Sequence, residues 1–199
     1  MIQFWTKNTK RPSRDVIIRD NVLSSGSGLF TQSIFMRNDQ VDQGLAGDSM
    51  FYRNITIANN IIVNAHLHGI TVGETDGLLI RNNTVVLNPS SEGEKRKPAL
   101  WTPQIRVAQA ARNVEITRNM TSKVVGYTNQ KDWDVCLNLH VQRTNSEHPG
   151  HYELIFGRDS IETPRNPTSF ALRSDGGVNT YKIGSSLSLS EIEEVIGAN

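Results

Sequence analysis

The chain has one cysteine in 199 residues, so Cys136 cannot close an internal disulfide, and no Cys/His cluster carries zinc spacing. Neither charge is in surplus: 21 Lys and Arg stand against 20 Asp and Glu, a formal net of +1. A strong non-specific hold on a nucleic-acid backbone would need a local basic patch. The one run, Lys95-Arg96-Lys97, lies among Ser, Glu and Pro and reads as a solvated loop. Nucleic acid is therefore not an expected partner. No apolar stretch is long enough for a membrane helix, and 37% hydrophobic with 21% charged residues is the composition of a soluble folded protein. A membrane is not expected as a partner either. Met1 to Trp5 is too short for the apolar part of a secretory signal and runs into Lys7, Lys10, Arg11 and Arg14, so no classical export signal is expected. A place outside cells stays open, because a released virion component or a piece of a larger surface protein would lack one too.

Asparagine is abundant instead, with 18 residues against 15 glycines. Four segments share the pattern apolar-x-apolar-x-polar-Asn: Val16 to Leu23, Ile55 to Ile62, Leu78 to Val85 and Val114 to Thr121. Each is followed by a second short strand: Ser33 to Asn38, Gly69 to Glu74, Gln104 to Gln109, and Val135 to His140 after the fourth. Period-2 alternation places Ile34 and Met36, Ile70 and Val72, and Ile105 and Val107 on one inward face. The expected unit is strand, turn, strand, loop.

The repeated asparagines Asn21, Asn60, Asn83 and Asn119 are 39, 23 and 36 residues apart. A solenoid tolerates unequal spacing, because coils stack at about 4.8 Å while insertions leave as loops. A closed barrel or sandwich would not. Asparagine suits the turn because it accepts left-handed backbone angles and its amide can bond the same amide one coil away. The run Asn54 to Ile62, N-I-T-I-A-N-N-I-I, followed by H-G-I-T-V from His68 to Val72, resembles the repeat of right-handed parallel β-helix proteins of the pectate-lyase-like superfamily. The resemblance covers roughly residues 14 to 160 and implies an all-β fold.

The expected organisation is an N-terminal segment or cap over 1–13, the parallel β-helix over 14–186, and a short C-terminal helix over 187–199. Within 145–186 the alternating pieces Tyr152 to Phe156 and Ser169 to Arg173 read as irregular terminal coils. Ser190-Glu-Ile-Glu193 has the capping-box pattern, with Ile192, Val195 and Ile196 on one face and Gly197 as stop. Open solenoid ends expose strand edges that must be covered. The terminal helix can cover one; Ile2, Phe4 and Trp5 are the apolar candidates for a plug at the other, or a partner chain covers it. A homo-oligomer or a larger assembly is thus among the expected partners.

The most reactive side chains cluster between Asn64 and Gly77. If the strand already begins there, His66 and His68 share a face and can act as acid and base on a sugar ring; otherwise both lie in the turn before it. With Ile70 and Val72 facing in, stacking sets Arg37, the His66/His68 pair, Glu74 and Arg106 along one lateral surface. Guanidinium groups pair both oxygens of a carboxylate, so an acidic polysaccharide built of uronic acids is the expected ligand. Trp101 and Trp133, in long insertions, can stack on sugar rings or cover the solenoid's side. Cys136 has no legible basic partner and is not expected to be a nucleophile. The Asn54, Asn82 and Asn119 glycosylation triplets coincide with the repeat and are explained by it.

Three enzyme families of this fold bear on the chemistry. His66 to Gly73 resembles the G-H-G-I-S-I-G stretch of polygalacturonase-type hydrolases, but the paired aspartates expected upstream are missing, and inverting hydrolysis needs two carboxyls. Pectate-lyase-type eliminases need a cation, commonly calcium; Asp39, Asp42 and Asp48 offer oxygen ligands at a spacing that matches no calcium loop. Alginate epimerases and lyases use His and Tyr near arginines; His66, His68 and Tyr52 supply the residue types, while the Asp-Pro-His motif is absent. Two functions follow as expectations: a β-helix that binds, and as a lyase or epimerase transforms, an extracellular acidic polysaccharide, or a non-catalytic structural or adhesive module of a virion or cell surface.

Overall fold

The computed structural model describes residues 1–7, 9–25, 31–88, 102–164, 166–173 and 182–197. Five coils of three short strands each stack into three five-stranded parallel sheets. The first sheet holds β1 (Ile2–Trp5), β4 (Ile34–Arg37), β7 (His68–Val72), β10 (Gln104–Val107) and β13 (Val124–Val125). The second holds β2 (Arg14–Arg19), β5 (Tyr52–Ala58), β8 (Thr75–Arg81), β11 (Arg112–Thr117) and β14 (Trp133–Cys136). The third holds β3 (Val22–Ser24), β6 (Ile61–Asn64), β9 (Thr84–Leu87), β12 (Met120–Thr121) and β15 (Leu139–His140). The chain is an all-β parallel solenoid, as the repeat implies.

Each eight-residue repeat turns out to contain two strands, one from the second sheet and one from the third, bent at its asparagine. The coil therefore has three strands where alternation implied two. Inward residues stack in register: Ile34, Ile70 and Ile105 in the first sheet, and Ile57, Ile80 and Ile116 in the second. All six are fully buried in one core, and at about 1.5–3 kcal/mol per buried aliphatic side chain such stacks are the main stabilising term.

The bend divides labour between two residues. The left-handed angle falls on the residue before the ladder asparagine: Asp20, Asn59, Asn82, Arg118 and Leu137, with φ between 53° and 58°. The ladder asparagine itself keeps negative φ and supplies the amide. Asn60 and Asn83 are linked by Nδ2 to Oδ1 at 2.8 Å, and Asn83 and Asn119 at 2.9 Å, all three fully buried. A fifth rung, Asn138, extends the ladder. Its segment was expected as one second-type strand from Val135 to His140, but it splits at Asn138 into β14 and β15, and the first-sheet strand of this coil is β13.

The third sheet is apolar on both faces. Ile62 and Val85 face the solenoid core, while Ile61, Val63, Val86 and Met120 form a second core with Tyr152, Ile155, Phe156, Phe170 and Ile192. Tyr152–Phe156 is a helix (α2, after the short α1 at Asp39–Asp42), followed by α3 (Asp159–Glu162) and a 3-10 turn at Pro167–Phe170. Where it is described, the stretch read as terminal coils is thus a helical layer on the flank of the third sheet. The C-terminal helix α4 (Leu189–Ile196) is present, with Gly197 left-handed at its end. Its capping box is Ser188 with Glu191, two residues earlier than Ser190 with Glu193. Ile192 alone of its expected apolar face is buried; Val195 and Ile196 are exposed. The helix joins the flank layer and touches β3, so it does not close an end. Ile2, Phe4 and Trp5 form the first strand, paired with β4, rather than a plug.

Candidate functional site

The outer face of the first sheet carries the side chains that alternation turns away from the core. Register stacks Gln3, Phe35, Thr71, Arg106 and Val125 in one outward row, and sets Trp5 beside Arg37 in the next. A cavity of about 420 Å³ runs across this face, lined among others by Phe35, Arg37, Asp42, His68, Thr71 and Arg106. Close packing around β7 leaves no room for a side chain at two glycines. A Cβ on Gly69 would meet Val85 Cγ1 at 2.5 Å, and one on Gly73 would meet the Asn38 backbone nitrogen at 3.0 Å.

His68 begins β7 and His66 lies in the turn before it, yet the rings lie 5.1 Å apart and 31° from parallel. The His68 backbone N–H donates to His66 Nδ1 at 3.1 Å, and His68 Nδ1 shares a hydrogen bond of 2.8 Å with Thr71 Oγ1. Phe35 meets His68 edge-on at 5.0 Å, and Trp5 is tilted against Phe35 at 5.7 Å. Burial, with the nearby His66 and Arg106, lowers the His68 pKa to about 4. At neutral pH His68 is an uncharged imidazole, able to accept a hydrogen bond or a proton.

The two arginines differ. Arg37 Nε lies 2.9 Å from Asp39 Oδ1 and 3.2 Å from Asp42 Oδ2, with its guanidinium 5.9 Å from the Trp5 ring, so its charge is largely balanced. Arg106 donates to Gln104 Oε1 at 3.0 Å and has no carboxylate partner among the described residues. It is the cation this face offers to an anion.

Glu74 departs from the expected surface. It is 9% exposed at the turn between β7 and β8, does not line the cavity, and burial together with Asp42 raises its pKa. Its backbone carbonyl accepts from Asn38 Nδ2 at 3.3 Å and from the Tyr52 N–H at 3.0 Å. Tyr52 is fully buried, donates its hydroxyl to the Arg37 carbonyl at 2.8 Å, and has its pKa pushed up by burial and by Asp39, Glu74 and Asp42. It holds the corner between sheets and is no acid for the groove. Trp101 lies outside the described residues. Trp133 is half-buried against the core and donates Nε1 to the Ala111 carbonyl at 2.9 Å, which makes it a cover for the solenoid. The exposed Cys136 thiol bonds Asp134, which raises its pKa.

For calcium, Asp39 and Asp42 are engaged by Arg37, and Asp48 by Arg112. Among the described residues no three His, Cys, Asp or Glu side chains are placed to hold a metal, so the donor set does not fit one. No described helix is long and apolar enough to cross a membrane. A larger cleft, of about 1100 Å³, lies between the bend of the second and third sheets and residues 182–189; Arg118 and Lys182 are its charged groups, with no acid–base pair beside them.

Neither a family model, nor a curated protein, nor a solved structure aligns significantly with this chain. The groove is therefore the feature of this chain that bears on function. Alternation already turns Phe35 outward beside Thr71 and Arg37, since Ile34 and Met36 face in. Sequence reasoning missed Trp5, which reads as an end plug and instead stands beside Arg37 at the edge of the groove.

Proposed function

We infer that this chain is an acidic-polysaccharide-binding parallel β-helix, right-handed and akin to the pectate-lyase-like superfamily, whose first-sheet groove takes an extended uronate chain. The observation that carries the reading is Arg106, a cation without a carboxylate partner among the described residues, set in one groove with the neutral His68, the Thr71 hydroxyl and the Phe35 ring. Arg106 pairs with a substrate carboxylate, while the exposed Trp5 beside Arg37 offers an apolar face to a sugar ring and the buried Phe35 backs the groove. Acidic polysaccharides of this kind coat cells, which places the protein's work outside them, at a cell surface or on a virion.

An enzymatic step fits the same geometry. With the carboxylate held by Arg106, the adjacent ring carbon becomes more acidic, and neutral His68 takes its proton. Elimination of the neighbouring glycosidic oxygen, or return of a proton to the opposite face, would complete a lyase or an epimerase reaction. Tyr52, buried and donating to the Arg37 carbonyl, is not placed to supply the second proton transfer. Incubation with pectates, alginates and glycosaminoglycans, following retention on immobilised polymer and absorbance of unsaturated uronate, tests both. Arg106→Ala is expected to lose retention at least tenfold, and His68→Ala to abolish any turnover while keeping retention. Equal retention of wild type and Arg106→Ala would refute the reading.

A second reading, a non-catalytic module of a larger assembly, is favoured by a separate observation: inner apolar residues stand partly exposed at both ends of the solenoid.

A further inference from the structure

The asparagine ladder has a direction. At each step the backbone N–H and Nδ2 of the earlier coil both donate to Oδ1 of the later one: Asn21 to Asn60 at 3.1 and 2.8 Å, Asn60 to Asn83 at 3.1 and 2.8 Å, Asn83 to Asn119 at 3.0 and 2.9 Å, and Asn119 to Asn138 at 2.9 Å for both. The two ends are consequently unlike. Among the described residues Asn21 Oδ1 accepts nothing, while Asn138 donates Nδ2 only to the Ile116 carbonyl, leaving its N–H and one amide proton unused.

We propose that copies of this chain stack end to end, the first coil of one on the fifth coil of the next, with the ladder passing through the junction. Unused donors at one end meet an unused acceptor at the other only in this head-to-tail sense; head-to-head docking would set two Oδ1 acceptors against each other. Extending the register by one coil gives the contacts. With Asn138 beside Asn21, Trp133 falls on Val16, Val135 on Ile18 and Val124 on Ile2, so these inner rows of the first and second sheets continue apolar on apolar, while in the third sheet His140 falls on Leu23. Both ends are open to receive it: a cavity of about 730 Å³ at the first coil is lined by Ile2, Phe4, Val16 and Ile18, and one of about 280 Å³ at the fifth by Val124, Val135 and Leu139. The segment after β15 covers only the exit of the third sheet, through Gln142 bonded to Gly150 and bridged to His151. Among the described residues nothing covers Asn138 on that side.

Unpaired parallel edges over an apolar core are templates for further strands, and a heterologous contact that does not close grows as a filament. The same register sets Asp132 over Asp15, one like-charge pair that salt screens. Sedimentation of the purified chain over a concentration series tests the proposal. The weight-average mass is expected to rise with concentration to at least about twice the monomer's, more so at high salt. Two variants fix the geometry, each confirmed folded by its melting transition. Val16→Arg blocks the head and Val135→Arg blocks the tail; each alone is expected to stay monomeric, and an equal mixture to give a dimer that grows no further. A wild type that is monomeric at every concentration would overturn the proposal, as would dimers formed by either variant alone.

Discussion

His68 and Glu74 lie within one coil and depart from their ordinary ionisation in opposite senses for stability. His68 has a folded pKa of about 4 against 6.5 for a free imidazole. The unfolded chain therefore binds the proton first, and the stability of the neutral form, full above pH 6.5, is lost as pH falls toward 4. Glu74 is raised above 4.5 by burial. Its folded state holds the proton longer, so its contribution is full below 4.5 and is lost as pH rises through the elevated folded pKa. Urea unfolding at pH 4 and pH 7 separates them: Glu74→Gln should be more stable than wild type at pH 7 and equal to it at pH 4, and His68→Gln should flatten the loss between pH 6.5 and 4. A Glu74→Gln chain less stable at pH 7 would contradict the burial argument. Sequence placed Glu74 on the groove by its nearness to the outward Thr71 and Gly73, but β7 ends at Val72 and the chain turns inward after it. Alternation says nothing about side chains beyond the strand.

Where the second sheet bends into the third, the ladder is the stabilising element. Asn83 Oδ1 accepts two bonds from Asn60, and removing it leaves two buried donors without partners. At about 1–3 kcal/mol for each such group, Asn83→Ala is expected to cost about 3 kcal/mol or more. Asn21→Ala should cost clearly less, because Asn21 Oδ1 supports no other rung. Equal costs, read from urea midpoints, would show that the ladder is decoration. Four rungs were legible because polar Asp20, Asn59, Asn82 and Arg118 precede them. The fifth was hidden by Leu137, an aliphatic residue in the left-handed position where the pattern asks for a polar one. The third sheet was hidden differently: strands buried on both faces lose alternation and read as plain apolar runs, as Ile61-Ile62-Val63 does. The flank helices are short and held by tertiary packing, so Tyr152 to Phe156 shows too few turns for a helical period to declare itself.

At the scale of the molecule, unequal insertions leave the solenoid unchanged while its faces diverge. One face is sheathed by helices, one carries the bends, and among the described residues the first sheet alone shows a groove with a cation that lacks a carboxylate partner and a neutral imidazole. The solenoid was legible because it repeats; the groove was half legible because its members do not. Register brings Arg37, His68 and Arg106 together from coils two, three and four, whereas Trp5 joins only because the first five residues form a strand. Hydrogen–deuterium exchange of the chain with and without a uronate oligomer tests the central claim most directly. Slowed exchange is expected across 34–38, 68–73 and 104–108, three segments far apart in sequence and adjacent in the groove. Exchange left unchanged there, or slowed only at the helical flank around 152–173, would contradict it.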